Sequence, residues 1–340
     1  METRKLQKIK GGSYIVSLPK PWVEKRKLQS GEQLVMAEDD DGSLRVFPIF
    51  EGLEKPLEVT LSFEEFPSLR ALEYCVDTYY IQGSSRINIV SKSIIPAEQK
   101  RRLKQFRTEL PGVEVAEEEA NQLTFQVLLD PATFSLEALI EKTSAFSLKL
   151  QEDAVRSVVE LNIPLAKEVA ERALEAQRHY RVTIRQVVLA TLNRTIAQKV
   201  GVKNCQECTT FTLIARDLSR LVYHSSSIAS HVLSLEGVRE VDQGILNLIE
   251  KMSKIAYEMQ KDGVDAFLKK NVKRAIDVMA KMDEVRENEK ALLKRIMENT
   301  TDMDTAVVLS MIGRDLRRIA GYGIAIADDA MNRILTPAGE

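Results

Sequence analysis

Eight cations lie within the first thirty residues: Arg4, Lys5, Lys8, Lys10, Lys20, Lys25, Arg26 and Lys27, set against only Glu2 and Glu24. In a 340-residue chain of formal net charge -2, that local excess is the most pointed chemistry on offer. Lys and Arg gathered on one face neutralise phosphates, and the counterions released make such binding steeply salt-dependent. Arg reads guanine bidentately whereas Lys acts as a point charge, so a Lys-rich set predicts backbone-dominated contact with little base readout. The same residues also suit a solvated face or a contact for an acidic partner.

Other reactive side chains are sparser. Cys205-Gln206-Glu207-Cys208 is a C-x-x-C at the start of a helical stretch, where the helix terminus lowers a thiol pKa. A structural zinc needs four ligands, and Cys75 is the only other cysteine. The three histidines are His179, His224 and His231, the last two sharing a helix face at i, i+7. Asp217, Asp283, Glu284, Glu287 and Asp315 are weak candidates for metal ligands. They are explained more simply as helix-surface charges in i, i+4 pairs. No Walker loop, G-x-S-x-G or H-E-x-x-H is present, so no enzyme is expected.

The elements that must position the cations read as strands over 4–10 and 14–18, joined by Gly11-Gly12-Ser13, a hairpin signal. Pro19 and Pro21 open a short helix on which Trp22, Val23 and Leu28 form an apolar stripe, with Lys25, Arg26 and Lys27 flanking it. Two more strands, 32–38 and 43–48, surround the turn Asp39-Asp40-Asp41-Gly42. With Val16-Ser17-Leu18-Pro19, this order resembles a SpoVT/AbrB-type swapped-hairpin domain over residues 1–50. The resemblance implies that two chains interleave hairpins into a homodimeric barrel and bind DNA through the eight basic residues. Ser13 stands where that family often has Arg.

Residues 49–56 read as a linker. A small α+β domain is expected over 57–130, in the order strand, helix, strand, helix, strand, strand. Ser62 and Glu65 have capping-box spacing for a helix over about 64–82, ended by Gly83. Pro96 opens a charged helix to about 110.

From Ser135 onward, apolar residues recur at three and four, predicting six long helices at about 135–160, 164–199, 205–235, 239–262, 264–298 and 302–335, the fifth breaking near 281. Arg216-Asp217-Leu218-Ser219-Arg220 is repeated as Arg314-Asp315-Leu316-Arg317-Arg318, each on the third helix of a set of three. Ser227-Ile228-Ala229 likewise returns as Ala325-Ile326-Ala327. These stretches resemble the PhoU family of phosphate-uptake regulators, with one three-helix bundle over 135–236 and a second over 237–335. The family's signature, Arg-Asp-Leu-Glu-Arg-Ile-Gly-Asp-His followed by Asn-Ile-Ala, implies multinuclear metal clusters held by its Glu and second Asp. Here the Glu is Ser219 and Arg317, the second Asp is Tyr223 and Gly321, and the Asn is Ser227 and Ala325. Hard cations need several oxygen ligands, so no cofactor is expected.

Together these expectations describe an α+β multidomain protein: an N-terminal swapped-hairpin β domain, a small α+β domain and a C-terminal all-α pair of three-helix bundles. The expected function is a dimeric DNA-binding transcriptional regulator linked to phosphate uptake, its bundles sensing a signal or docking a partner. The alternative is an adaptor that does not bind DNA and docks on a phosphate transporter ATPase or sensor kinase, its head serving as a dimerisation clasp. No apolar run reaches the ~20 residues needed to span a bilayer, and no secretory h-region is visible, so a cytoplasmic protein without membrane insertion is expected.

Overall fold

The computed structural model describes residues 3–38, 42–48, 57–130 and 133–335. The proposed linker over 49–56 and the Asp39-Asp40-Asp41 turn lie outside the described residues. The chain divides near residue 55 into an N-terminal unit and a body.

In the N-terminal unit, β1 (Gln7–Lys8) pairs antiparallel with β2 (Tyr14–Ile15). Gly11 and Gly12 sit at φ 118° and 94°, conformations that glycine reaches without steric cost. α1 (Lys20–Lys25) begins after Pro19, and β3 (Leu34–Glu38) pairs antiparallel with β4 (Leu44–Pro48). The helix ends sooner than the sequence suggests: Arg26 is its C-cap and Lys27 is left-handed at φ 54°, so neither belongs to a basic helix face. Pro48 is the only buried residue among those described here. Leu6, Tyr14, Ile15, Val16, Met36 and Leu44 are all exposed. Two isolated hairpins without a core are marginal in water, so these apolar side chains need a cover this chain does not supply within the unit.

The body opens with a four-stranded sheet, order β5-β6-β8-β7, from β5 (Glu58–Ser62), β6 (Arg86–Val90), β7 (Val113–Glu119) and β8 (Gln122–Val127). β5 and β6 are parallel and the other pairs antiparallel. Ile87 and Ile89 alternate inward on the central strand β6, with Leu123 and Phe125 beside them on β8. α2 (Leu69–Ile81) contributes Leu72, Val76 and Tyr80 at i, i+4, i+8 to this core, and α3 (Ala97–Phe106) contributes Leu103. The expected start of α2 near residue 64 is corrected: Ser68, not Ser62, caps it by accepting the Ala71 N–H. Glu64 instead accepts from Ser91 Oγ and Lys92 N, and these hydrogen bonds, that from Ser91 foremost, lower its carboxyl pKa to about 2.

The helices follow as α4 (Leu136–Val159), α5 (Ile163–Leu192), α6 (Arg194–Val200), α7 (Cys205–Leu233), α8 (Gln243–Lys269), α9 (Val272–Ala280), α10 (Met282–Asn299) and α11 (Met303–Ile334). Ser135, Asn162, Asn193, Asn204, Asp242, Asn271 and Asp302 each cap a helix with their side chains. The expected second helix breaks at Asn193, and the expected break at Gly263 does not occur. α8 runs on to Lys269, ending where Lys270 turns left-handed and Asn271 caps the next helix.

Gly263 and Gly323 mark a close crossing of α8 and α11. A Cβ on Gly323 would sit 2.9 Å from Met259 Cβ, and one on Gly263 would sit 3.2 Å from the Gly323 carbonyl oxygen. The first and third helices of each set pair antiparallel with their counterparts, and one hydrophobic core runs through both sets. Gln151 of α4 donates to the Ser253 carbonyl of α8 at 2.9 Å, and Gln260 of α8 donates back to the Ser144 carbonyl of α4 at 3.2 Å. At the end of α11, the buried Arg333 guanidinium lies between the Phe211 and Phe267 rings, 4.8 and 4.6 Å from their centroids. It donates to the Phe267 carbonyl and to Glu137.

The α+β domain docks on α5. Arg185 is buried and donates to the carbonyls of Tyr80 and Gly83, while Arg181 Nε donates to Asp77 Oδ1 at 2.8 Å. Gly83, at φ 95°, ends α2 and leaves room for Leu189, whose Cδ2 would lie 2.8 Å from a Cβ there.

The glycine crossing is testable by contrast. Gly323→Val is expected to destabilise the protein by about 1–3 kcal/mol through overpacking. Gly321→Ala, with open space around its Cβ, is expected to be neutral or stabilising by up to about 1 kcal/mol. Chemical denaturation of the two variants measures both, and equal stabilities would refute the crossing.

Candidate functional site

The repeated Arg-Asp-Leu motif places Asp217 on α7 and Asp315 on α11, one turn-face of each directed at the other helix. Both carboxylates are buried, which the sequence reading of surface charge did not foresee. A buried carboxylate must be hydrogen-bonded or paired, or it takes up a proton.

Asp315 faces two imidazoles of α7. His224 Nδ1 lies 3.0 Å from its Oδ1 and His231 Nε2 lies 3.3 Å from its Oδ2. A carboxylate only accepts, so His224 presents its Nδ1–H to Oδ1; Oδ2 lies beside His231 without a well-formed hydrogen bond. Ser227 Oγ also lies 3.3 Å from His231 Nε2. Burial alone would raise the Asp315 carboxyl, but the polar contacts with His224, His231 and Ser227 outweigh it and hold the group well below the usual carboxylate range. The His224 ring packs between Tyr223 and Tyr322.

The other half of the seam is built differently. Tyr322 and Asp329 stand at the same spacing from Asp315 that His224 and His231 have from Asp217, so the repeat puts a carboxyl where the first copy has an imidazole. Burial raises Asp217, opposed by Arg216, which donates from Nε and Nη2 at 3.0 Å. Burial pushes Asp329 up to about 8, the charges of Asp217 and Asp328 adding to the effect and Arg216 opposing it. Its Oδ2 is buried without a hydrogen-bond partner.

The remaining acidic candidates do not join either group. Asp283 pairs with Arg286, Glu284 with Lys251 and Glu287 with Lys290, all on the surface as the i, i+3 and cross-helix pairs of an exposed helix. Arg317, at the position of the signature Glu, donates from Nε to Glu289 Oε1 of α10 at 2.9 Å. Cys205 is exposed while Cys208 is buried; burial pushes the Cys208 thiol up to about 11, with the charges of Cys205 and Glu207 adding. That is the reverse of the lowering expected from a helix start. In the N-terminal unit, Arg4, Lys5, Lys8, Lys10, Lys20, Lys25, Arg26 and Lys27 are all exposed. Lys20 pairs with Glu24 at 3.7 Å, and Lys8 Nζ lies 5.8 Å from the Tyr14 ring centroid.

Residues 249–330, from within α8 through most of α11, match the PhoU domain family. The crystal structure of PhoU from Pseudomonas aeruginosa superposes with a TM-score of 0.52 at 18% identity, covering 58% of this chain and 95% of that one. That of the phosphate transport system regulatory protein PhoU from Streptococcus pneumoniae gives a TM-score of 0.49 at 17% identity, covering 60% and 96%. No curated protein matches the sequence. The helical region therefore has a PhoU-like helical-bundle fold. Among the described residues no helix is long and apolar enough to cross a membrane.

The metal clusters implied by the PhoU resemblance do not fit these residues. Arg317 puts a guanidinium against Glu289, the neighbouring-helix carboxylate, and Asp315 and Asp217 are already bound by His224, His231 and Arg216. Among the described residues no group of three or more His, Cys, Asp or Glu is arranged to hold a metal ion.

The Asp329 carboxyl gives a pH test. Its folded pKa lies above the unfolded value near 4, so its stabilising contribution is complete below that value and is lost as pH rises toward 8. Asp329→Asn, a neutral isostere, is expected to match the wild type near pH 4 and exceed it in stability at pH 8 by about 1–3 kcal/mol. Unfolding midpoints across that range measure the difference, and parallel pH profiles would contradict the assignment.

Proposed function

We propose that this chain is a non-catalytic PhoU-type regulator linked to phosphate uptake, whose helical body docks on a protein partner such as a phosphate transporter ATPase or a sensor kinase. The observation that carries this reading is the PhoU-like fold of the helical region, which spans nearly the whole length of the Pseudomonas protein. The adaptor reading is favoured over the DNA-binding one because the body supports it directly and the N-terminal unit is additional to it. The body works without a resident metal, its signature carboxylates being matched by the chain's own cations. The two helical sets, 135–236 and 237–335, act as one docking surface because they share a core.

A second reading concerns the N-terminal unit, and a specific observation favours it: eight exposed cations sit in a unit whose two hairpins have no core of their own. In this reading, two chains bring their hairpins together, covering Leu6, Ile15, Val16 and Met36, and the joined unit presents its cations to DNA. A dimer without DNA contact is the clasp of the adaptor.

Co-purification of the full chain with the phosphate transporter ATPase or sensor kinase of its own organism tests the first reading; capture of neither removes it. For the second, Val16→Glu is expected to turn a dimer into a monomer in light scattering. Gel shift at low and physiological salt then separates the two roles of the unit. A salt-steep shift weakened by joint Lys25→Ala and Arg26→Ala supports DNA contact, and no shift at either salt leaves the unit as a clasp.

A further inference from the structure

A cleft of about 280 Å³ lies where α2, α5 and α7 meet, between the α+β domain and the first helical set. Its wall is rich in donors: Arg216, Ser219 and Arg220 from α7, with Tyr180 and Arg181 from α5. The carboxylates near it are already engaged. Asp77, on the α2 side, accepts from Arg181 Nε at 2.8 Å, and Asp217 beneath the floor accepts from Arg216 at 3.0 Å. Arg220 is exposed and makes no hydrogen bond or ion pair among the described residues; its charge is felt by Asp217 only at a distance. The Ser219 and Tyr180 hydroxyls likewise make no hydrogen bond among the described residues.

The chemistry of this wall is opposite in sign to that of a cation site. Arg216 and Arg220 stand at i, i+4 on α7, with Ser219 directly before Arg220, so both guanidinium groups rise from one helix face. Arg216 is held by Asp217, so the donors left without a partner at this concave space are the Arg220 guanidinium and the Ser219 and Tyr180 hydroxyls. Arg is the side chain whose planar fork matches a multi-oxygen anion, and hydroxyl donors complete such a shell.

We propose that this cleft binds a small phosphate-class oxyanion, with Arg220 and Arg216 as the charged donors and Ser219 and Tyr180 as the neutral ones. An anion held there bridges α5 and α7 beside the Arg181–Asp77 pair that joins the α+β domain to α5. The anion is free inorganic phosphate or the phosphate group of a small phosphomonoester, since the shared chemistry is a tetrahedral dianion. This goes beyond the regulator reading and does not depend on it: partner docking stands whether or not an anion binds.

The test is calorimetric titration of the full chain with inorganic phosphate and, in a second arm, with AMP as a phosphomonoester. Saturable binding of one equivalent is expected in at least one arm, and the tighter arm identifies the source. Arg220→Gln, a change at an exposed and unpaired side chain, is expected to weaken binding at least about tenfold. Ser219→Glu, which places a carboxylate in the cleft, is expected to abolish it. Arg314→Gln, the exposed counterpart of Arg216 on α11, is expected to leave it unchanged. No saturation in either arm up to about 10 mM, an affinity too weak to matter, would overturn the proposal. So would equal affinity in Arg220→Gln and the wild type.

Discussion

The structure depends on how two carboxylates are kept inside the seam between α7 and α11. An uncompensated buried charge is among the costliest features a protein can hold, so each must find a cation, a hydrogen-bond donor or a proton. The two copies of the motif answer differently. Asp315 meets His224 and His231 of the facing helix. Asp217 takes Arg216 from its own helix, and its neighbour Asp329 is held in the protonated range at neutral pH by burial and by Asp217 itself. Each solution consumes oxygens that a metal ion would need. The Arg317–Glu289 pair does the same for the carboxylate offered by α10.

This seam also locks the architecture around it. α7 and α11 are the third helices of their sets, and their close packing brings α4 and α8 together, where Gln151 and Gln260 exchange hydrogen bonds. Arg333 then fastens the end of α11 between Phe211 and Phe267. The outer helix α5 is left to carry the α+β domain through Arg181 and Arg185. The N-terminal unit contrasts with all of this: it has regular hairpins and exposed apolar side chains but no interior of its own.

Much of this was legible before the fold was seen, for physical reasons. Strand alternation and the Gly11-Gly12 and Asp-Gly turns mark the hairpins in the sequence, and three-to-four apolar spacing marks the long helices. The internal repeat located the seam. What was not legible required partners distant in sequence. Gly263 looked like a helix breaker because its close approach to Gly323 is invisible in one helix. His224 and His231 read as an incidental i, i+7 pair because their shared partner, Asp315, lies about ninety residues away. Nothing local to Arg333 reports that two phenylalanines enclose it. Ser62 and Glu65 have capping-box spacing, yet Pro67 disfavours helical backbone just before it and Ser68 caps α2.

Side chains of this PhoU-like body already meet its buried motif carboxylates, Arg216 at Asp217 and His224 at Asp315, which sets them against a metal. Elemental analysis of the full chain tests this most directly, after incubation with Mg²⁺, Mn²⁺, Fe³⁺ and Zn²⁺ and gel filtration. The account predicts that no cation is retained in stoichiometric amount. Retention of one or more equivalents per chain, released by Asp217→Asn or Asp315→Asn, would contradict it.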